Sequence, residues 1–365
     1  MSSNHESPER CSLPPMTQEQ KERAQKLLRQ AVVVDAEAIA LLMPAVFIPP
    51  QPINGVPYYD RAMGAGLTVM NTTLGNGGLA AGKDDLRTLL NCMYSYLAYF
   101  ELHPDKLVHV ERADDIARAK QEGKLGVIFG VQGLAGKLDG DASMIRILHK
   151  IGLRIAQLTN NDRGALGCGA MEPNDTGLTL FGRGCVRELN RVGVVVDVAH
   201  AGERTAIEAI RLSSKPCIFS HANVRALAQN SRNATDEMLK ALAENGGVIG
   251  LTAIAQFNQP KRGVIPTVDN LVDHVLYVAD NFGIDHVGIG TDFGDFGVSE
   301  VRHVDFARMY PEMEGDFHFH NSFTKGFESV DDYGNLASAL VRRGFSDEDV
   351  LKVLGQNFQR VFAAN

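Results

Sequence analysis

The chain lacks the features that would send it to a membrane, out of the cell or onto nucleic acid. Residues 1–20, MSSNHESPERCSLPPMTQEQ, have no apolar signal-peptide core, and no run elsewhere reaches the ~20 apolar residues of a spanning helix. We expect a disordered leader over 1–20, a catalytic domain over 21–365, a cytoplasmic location and no membrane partner. Lys and Arg number 36 against 44 Asp and Glu, a formal charge of −8. That balance argues against nucleic acid, whose binders usually carry a basic patch, and still permits one basic pocket for a small acidic molecule. The five cysteines, Cys11, Cys92, Cys168, Cys185 and Cys217, form no CxxC pair and are odd in number. A disulfide framework or a structural zinc knuckle is therefore not expected, and the thiols read as core residues. Also missing are a low-complexity linker, a short-period repeat and a Gly-rich phosphate loop early in the chain.

What is present is a series of short apolar runs. They are 31–38 AVVVDAEA, 67–74 LTVMNTTL, 124–132 KLGVIFGVQ, 153–159 LRIAQLT, 193–200 GVVVDVAH, 216–221 PCIFSH, 247–253 GVIGLTA and 286–292 HVGIGTD. Nearly continuous apolar character implies burial on both faces, as in a parallel sheet covered by helices. Amphipathic segments separate them, among them 84–103, 112–122, 202–213, 235–245 and 267–282. The last but one opens with Thr235, Asp236 and Glu237, which suit an N-cap and an acidic first turn. Eight strand–helix units over this length predict an α/β fold, a single (β/α)8 TIM-type barrel. A doubly wound open sheet fits less well without its phosphate loop.

Such a barrel carries its site at the carboxyl ends of its strands. The runs end in Asp35 and Glu37, Asn71, Gln132, Asn160, His200, His221 and Asp292. Asp35 and Glu37, two apart at the end of the first run, are expected to share one face. His200 and His221 close the fifth and sixth runs, and strands ~4.8 Å apart let two imidazoles reach one ion. Either histidine alone reads as a hydrogen-bonded rim residue, whereas the adjacent pair points to metal. Asp292 is placed to bind a metal or to take a proton from water; its alternative is a turn residue before Gly294. Arg232 suits a substrate carboxylate, or is an ordinary surface arginine. His318 and His320, in GDFHFHNSF, are spaced for a shared metal or simply flank packed phenylalanines.

Four longer stretches carry a resemblance: GLTLFGRGCVRELNRVGVVVDVAH at 177–200, CIFSHANVRALAQNSRNATDEML at 217–239, HVGIGTDFGD at 286–295 and ALVRRGFSDEDVLKVLGQNFQRVF at 339–362. In order and spacing the chain resembles the membrane dipeptidase (renal dipeptidase, peptidase M19) family across roughly 28–363. The resemblance implies a (β/α)8 barrel with two zinc ions that cleaves dipeptides, and a possible homodimer. It makes His200 and His221 the histidines of the second zinc, Asp292 the catalytic Asp and Arg232 the carboxylate-binding Arg.

The resemblance also breaks. Where the family's first strand ends in D-G-H-N-D, this chain reads Asp35-Ala36-Glu37-Ala38-Ile39. Glu37 stands for the metal-binding His and Ile39 for the metal-binding Asp. Gln132 replaces the bridging Glu, and Asn160 replaces the substrate-facing His. Two divalent ions stripped of two anionic ligands would leave uncompensated positive charge in low dielectric. We therefore expect one divalent ion, zinc, held by His200 and His221 with Glu37, Gln132 or Asp292, and not two. The expected activity is hydrolysis of an amide or related C–N bond in a small carboxylate-bearing substrate. Asp292, Glu37 and Asn160 would be catalytic, with Arg232 and Asn160 binding the substrate. A lyase, isomerase or decarboxylase on the same barrel, and an inactive ligand- or partner-binding barrel, are the alternatives.

Overall fold

The computed structural model describes residues 15–38, 52–75, 85–294 and 323–365. The sheet contains β1 (Val33–Asp35), β2 (Leu67–Leu74), β3 (Leu107–His109), β4 (Leu125–Val131), β5 (Leu153–Gln157), β6 (Val195–Asp197), β7 (Ile218–Phe219), β8 (Val248–Leu251) and β9 (Val287–Ile289). Its order is β2-β1-β9-β8-β7-β6-β5-β4-β3, and β2 also pairs with β4, which closes it into a barrel. All these pairings are parallel. Eight strands encircle the barrel as expected. The ninth, β3, pairs only with β4 through 125–127, while β5 takes 129–131. Its three residues are too short a run to stand out in the sequence.

The helices are α1 (Gln18–Gln30), α2 (Tyr58–Gly64), α3 (Leu86–Leu102), α4 (Ala113–Glu122), α5 (Met144–Lys150), α6 (Leu180–Val192), α7 (Glu203–Leu212), α8 (Asp236–Glu244), α9 (Ala255–Asn258), α10 (Val268–Phe282), α11 (Tyr333–Arg342), α12 (Asp347–Leu351) and α13 (Asn357–Ala364). The five expected helical segments are α3, α4, α7, α8 and α10. Thr235 caps α8 by accepting from the Met238 N–H at 3.3 Å. Thr17 and Gln20 form a capping box that starts α1 at Gln18, so the last three residues of the expected leader are helical. Residues 1–14 lie outside the described residues, as do Ile39, His318 and His320.

Two apolar layers hold the fold. Small aliphatics from alternate strand positions (Val34, Val69, Ile128, Ile155, Val195, Ile218, Val248) fill the barrel itself. Ile116 and Ala119 of α4 and Phe358 and Val361 of α13 join that cluster and plug the amino-terminal end of the strands. The larger cluster lies between sheet and outer helices. With the lower end sealed, the carboxyl ends of the strands are the end at which such a barrel carries its site, here called its mouth. The four described cysteines are free and buried. No helix among the described residues is long and apolar enough to cross a membrane.

Candidate active site

The strands stop short of the residues that the runs seemed to end in. β6 stops at Asp197, β7 at Phe219 and β9 at Ile289, and the site residues sit two or three positions further on, in tight turns. His200 (φ 64°) and Asp292 (φ 60°) are in the left-handed region, where a side chain costs about 1–2 kcal/mol. An aspartate anchors two of these turns. Asp197 accepts from the backbone N–H of Ala199 (2.9 Å) and Ser220 (3.0 Å). Asp35 accepts from the Glu37 N–H (3.2 Å), both donors of Thr291 (2.8 and 2.6 Å) and the Tyr333 hydroxyl (2.8 Å). Burial raises both carboxyls to about 6 against those hydrogen bonds.

His200 and His221 face each other, with their Nε2 atoms 2.9 Å apart. One ion at ~2.0–2.1 Å from each nitrogen fits that gap. The His200 Nδ1–H donates to Asn161 Oδ1 at 2.6 Å, which leaves the Nε2 lone pair facing inward. Nδ1 of His221 lies 2.9 Å from the Ser220 hydroxyl. Ser220 is brought close by two glycines: a Cβ on Gly290 would stand 1.7 Å, and one on Gly250 2.2 Å, from its carbonyl oxygen. Burial and then the nearby Arg232 charge hold both imidazoles well below their usual range, so they are neutral and able to ligate.

Arg232 is buried, not on the surface. Its guanidinium carbon lies 5.5 Å from the centre of the Phe257 ring, and its Nη1 has no hydrogen-bond partner among the described residues. Burial pulls it down to about 10, with Asp292 and Asp197 opposing. A buried cation with a bare N–H is costly unless an anion arrives to meet it. Asp292 is pushed up to about 7 by burial; Arg232 lowers it and Asp35 adds to the rise.

The other side of the mouth differs. Glu37 accepts from Asn71 Nδ2 (3.1 Å), from Gln132 Nε2 (3.2 Å) and from the Thr73 hydroxyl. Burial lifts its carboxyl well above the usual range, against the Thr73 bond. Asp35 and Glu37, expected to share one face, have separate sets of partners. The chain leaves β1 after Asp35, so one carboxyl turns to β9 and α11 and the other to β2 and β4. The Gln132 carbonyl is held by the buried Lys137 ammonium at 2.6 Å. Asn160, half-buried, accepts from the Asn161 N–H at 2.8 Å and stands beside Gly133. The Asp292 N–H donates to the Glu37 carbonyl at 2.8 Å, linking the two sides.

The donors decide which metal arrangement suits the mouth. Gln132 spends its amide N–H on Glu37 instead of offering an anion, so a carboxylate-bridged pair of ions does not fit. The imidazole pair does fit one ion, although among the described residues no three His, Cys, Asp or Glu side chains are grouped to hold one. The sequence reading gave Asn71 as a candidate and missed Thr73, Asn161, Asp197 and Ser220. Asp197 had a visible signal, because Val-Val-Asp closes both β1 and β6.

Fold and mouth together define a parallel (β/α)8 barrel with metal-type histidines beyond neighbouring strands. The chain belongs to the membrane dipeptidase family, peptidase family M19, whose sequence profile matches residues 22–314 and 312–365. Dipeptidase tcpJ of Claviceps purpurea is 33% identical over 265 residues, 72% of this chain and 56% of that protein. Dipeptidase aclJ of Aspergillus oryzae is 29% identical over 71% of this chain and 56% of its own length. The chain thus spans little more than half of these curated relatives. The crystal structure of an amidohydrolase from Pseudomonas aeruginosa is 28% identical, with TM-score 0.79, over 93% of this chain and 98% of that one.

Proposed function

We propose that this chain is a metal-dependent hydrolase of an amide or related C–N bond in a small carboxylate-bearing substrate, with one zinc ion on His200 and His221. The observation that carries the reading is a pair of inward, neutral Nε2 atoms beside a buried arginine with an unpaired N–H. A divalent ion bound there would polarise the scissile carbonyl and acidify water. Arg232 would fork onto the substrate carboxylate and fix its register in the mouth. Asp292, raised to about 7, sits close to the pH at which a carboxylate serves best as general base, and it would take the proton of the attacking water. Asn160, in place of an imidazole, would bind substrate and supply a weaker donor to the developing oxyanion. Losing one strong oxyanion donor costs ~10²–10³ in rate, so common dipeptides are expected to be poor substrates. The dipeptidase names of the relatives support hydrolysis of this bond type. The four free buried thiols support a cytoplasmic setting.

Elemental analysis after exhaustive dialysis tests the reading. About one equivalent of zinc per chain is expected; two equivalents overturn the mononuclear centre, and none overturns metal dependence. The protonated tendency of Glu37 favours a second reading, acid–base chemistry without hydrolysis, which predicts turnover that incorporates no oxygen from ¹⁸O-labelled water.

A further inference from the structure

The loop between β7 and α8 carries Arg232, and two buried asparagines tie that loop to itself and to its neighbours. Asn223 stands near its start and Asn233 near its end. The Asn223 N–H donates to Asn233 Oδ1 at 3.1 Å, and the Ala234 N–H to the Asn223 carbonyl at 2.8 Å. Each amide nitrogen then serves two carbonyls. Asn223 Nδ2 donates to Thr252 at 3.2 Å and to Phe257 at 3.1 Å. Asn233 Nδ2 donates to Ala228 at 2.8 Å and to Phe257 at 2.9 Å. The Phe257 carbonyl thus receives both amides, which fills its two lone-pair sites.

Phe257 lies in α9, whose four residues are too few to hold a helical turn by themselves. Its ring lies under the Arg232 guanidinium, and the Arg232 N–H donates to Asn230 Oδ1 at 2.9 Å. The cation and the ring beneath it are therefore located by the same pair of amides, one of them next to Arg232 in the chain. A long side chain that its ligand must first order gives up affinity to that ordering, whereas one already held in place does not. The amides are also neutral, so this clasp brings no carboxylate to compete for the charge of Arg232.

We propose that Asn223 and Asn233 are positioning residues that act through Phe257 to hold Arg232 ready for a carboxylate. This role rests on Arg232 meeting a substrate carboxylate, and it adds which residues set the strength of that contact. A merely structural part for Asn233 has a ready comparison in this chain. Asn357, also buried, in α13 at the sealed end of the barrel, donates its amide to the Ile284 and Val287 carbonyls, each at 2.8 Å. It has the same chemistry and the same number of carbonyl acceptors, at the end of the barrel opposite Arg232.

Acetate titration of the full chain tests it, followed by the Arg232 Nε–H resonance, which is assigned by its loss in Arg232→Lys. Asn233→Ala and Phe257→Leu should each bind acetate about 10-fold more weakly than the parent, at a temperature where all are folded. Asn357→Ala should lower the melting temperature comparably and leave acetate affinity within about 2-fold. Phe257→Leu keeps the carbonyl and removes only the ring, so it carries the test if Asn233→Ala does not fold. A parent whose Arg232 signal ignores acetate up to ~200 mM overturns the carboxylate role of Arg232, and the positioning role with it. A parent that binds acetate, with Asn233→Ala and Phe257→Leu binding equally well, overturns the positioning role alone. So do equal losses of affinity in Asn233→Ala and Asn357→Ala, which would make the effect one of general stability.

Discussion

Glu37 and His221 are both buried at the mouth of the barrel, and both are held by neighbouring hydroxyls or amides, yet their surroundings do opposite things. Around His221 the partners engage Nδ1 and leave Nε2 turned to the matching nitrogen of His200. Around Glu37 three neutral donors converge on the carboxyl oxygens themselves. The first arrangement prepares a donor for an ion; the second satisfies a carboxyl group without one. Glu37 thus has its hydrogen-bonding capacity met by side chains of this chain alone. Gln132 with Glu37 is self-sufficient, where Gln132 with a bare ion would leave the charge uncovered.

The largest expected effect separates these sides directly. His221→Ala should lower zinc affinity by more than ~10²-fold, beyond the ~10–100-fold typical of a lost supporting contact. Glu37→Gln should leave affinity within about 3-fold. Competition against a calibrated chelator measures both, and equal losses would erase the contrast. Next in size is Arg232→Lys, which keeps the charge but loses the planar fork. Small carboxylates that raise the melting temperature of the parent should bind the variant one to two decades more weakly, about 1.5–3 kcal/mol. Equal shifts in both proteins would place the anion site elsewhere.

The smallest expected effect concerns pH, and here the two kinds of group have opposite signs. The folded state raises Asp292 to about 7, so it holds a proton that the unfolded chain has lost, and stability falls as pH rises from about 4 to 7. The folded state lowers both histidines, so below about 6.5 the unfolded chain gains protons that the native one refuses, and stability falls on acidification. In metal-free protein, Asp292→Asn should therefore raise the melting temperature by about 2 °C or more at pH 8, and by less at pH 5. A larger gain at pH 5 would reverse the assigned sign.

The barrel was legible because parallel strands buried on both faces leave uninterrupted Val, Ile and Leu runs, and His200, His221, Asp292 and Arg232 were legible through their place after those runs. The burial of Arg232 was not, since a loop arginine carries no periodic signal. The fates of Asp35 and Glu37 were also hidden. Their separation depends on where β1 stops, and that end is set by residues distant in sequence, Thr291 after the neighbouring strand β9 and Tyr333 of α11, which meet Asp35. Thr73 lies inside an apolar-looking run and becomes a site residue only when β2 is placed beside β1.

The left-handed turns at His200 and Asp292 bear on how this sequence would drift. Glycine adopts those angles without strain, and asparagine with little, so at both positions the backbone by itself would favour another residue. In a lineage released from selection for catalysis, these two sites would be among the first to change, and each change to glycine would be tolerated or even stabilising. The strands below would keep their aliphatic residues. A descendant with an intact barrel and glycine after β6 and β9 would be the fossil of this chain.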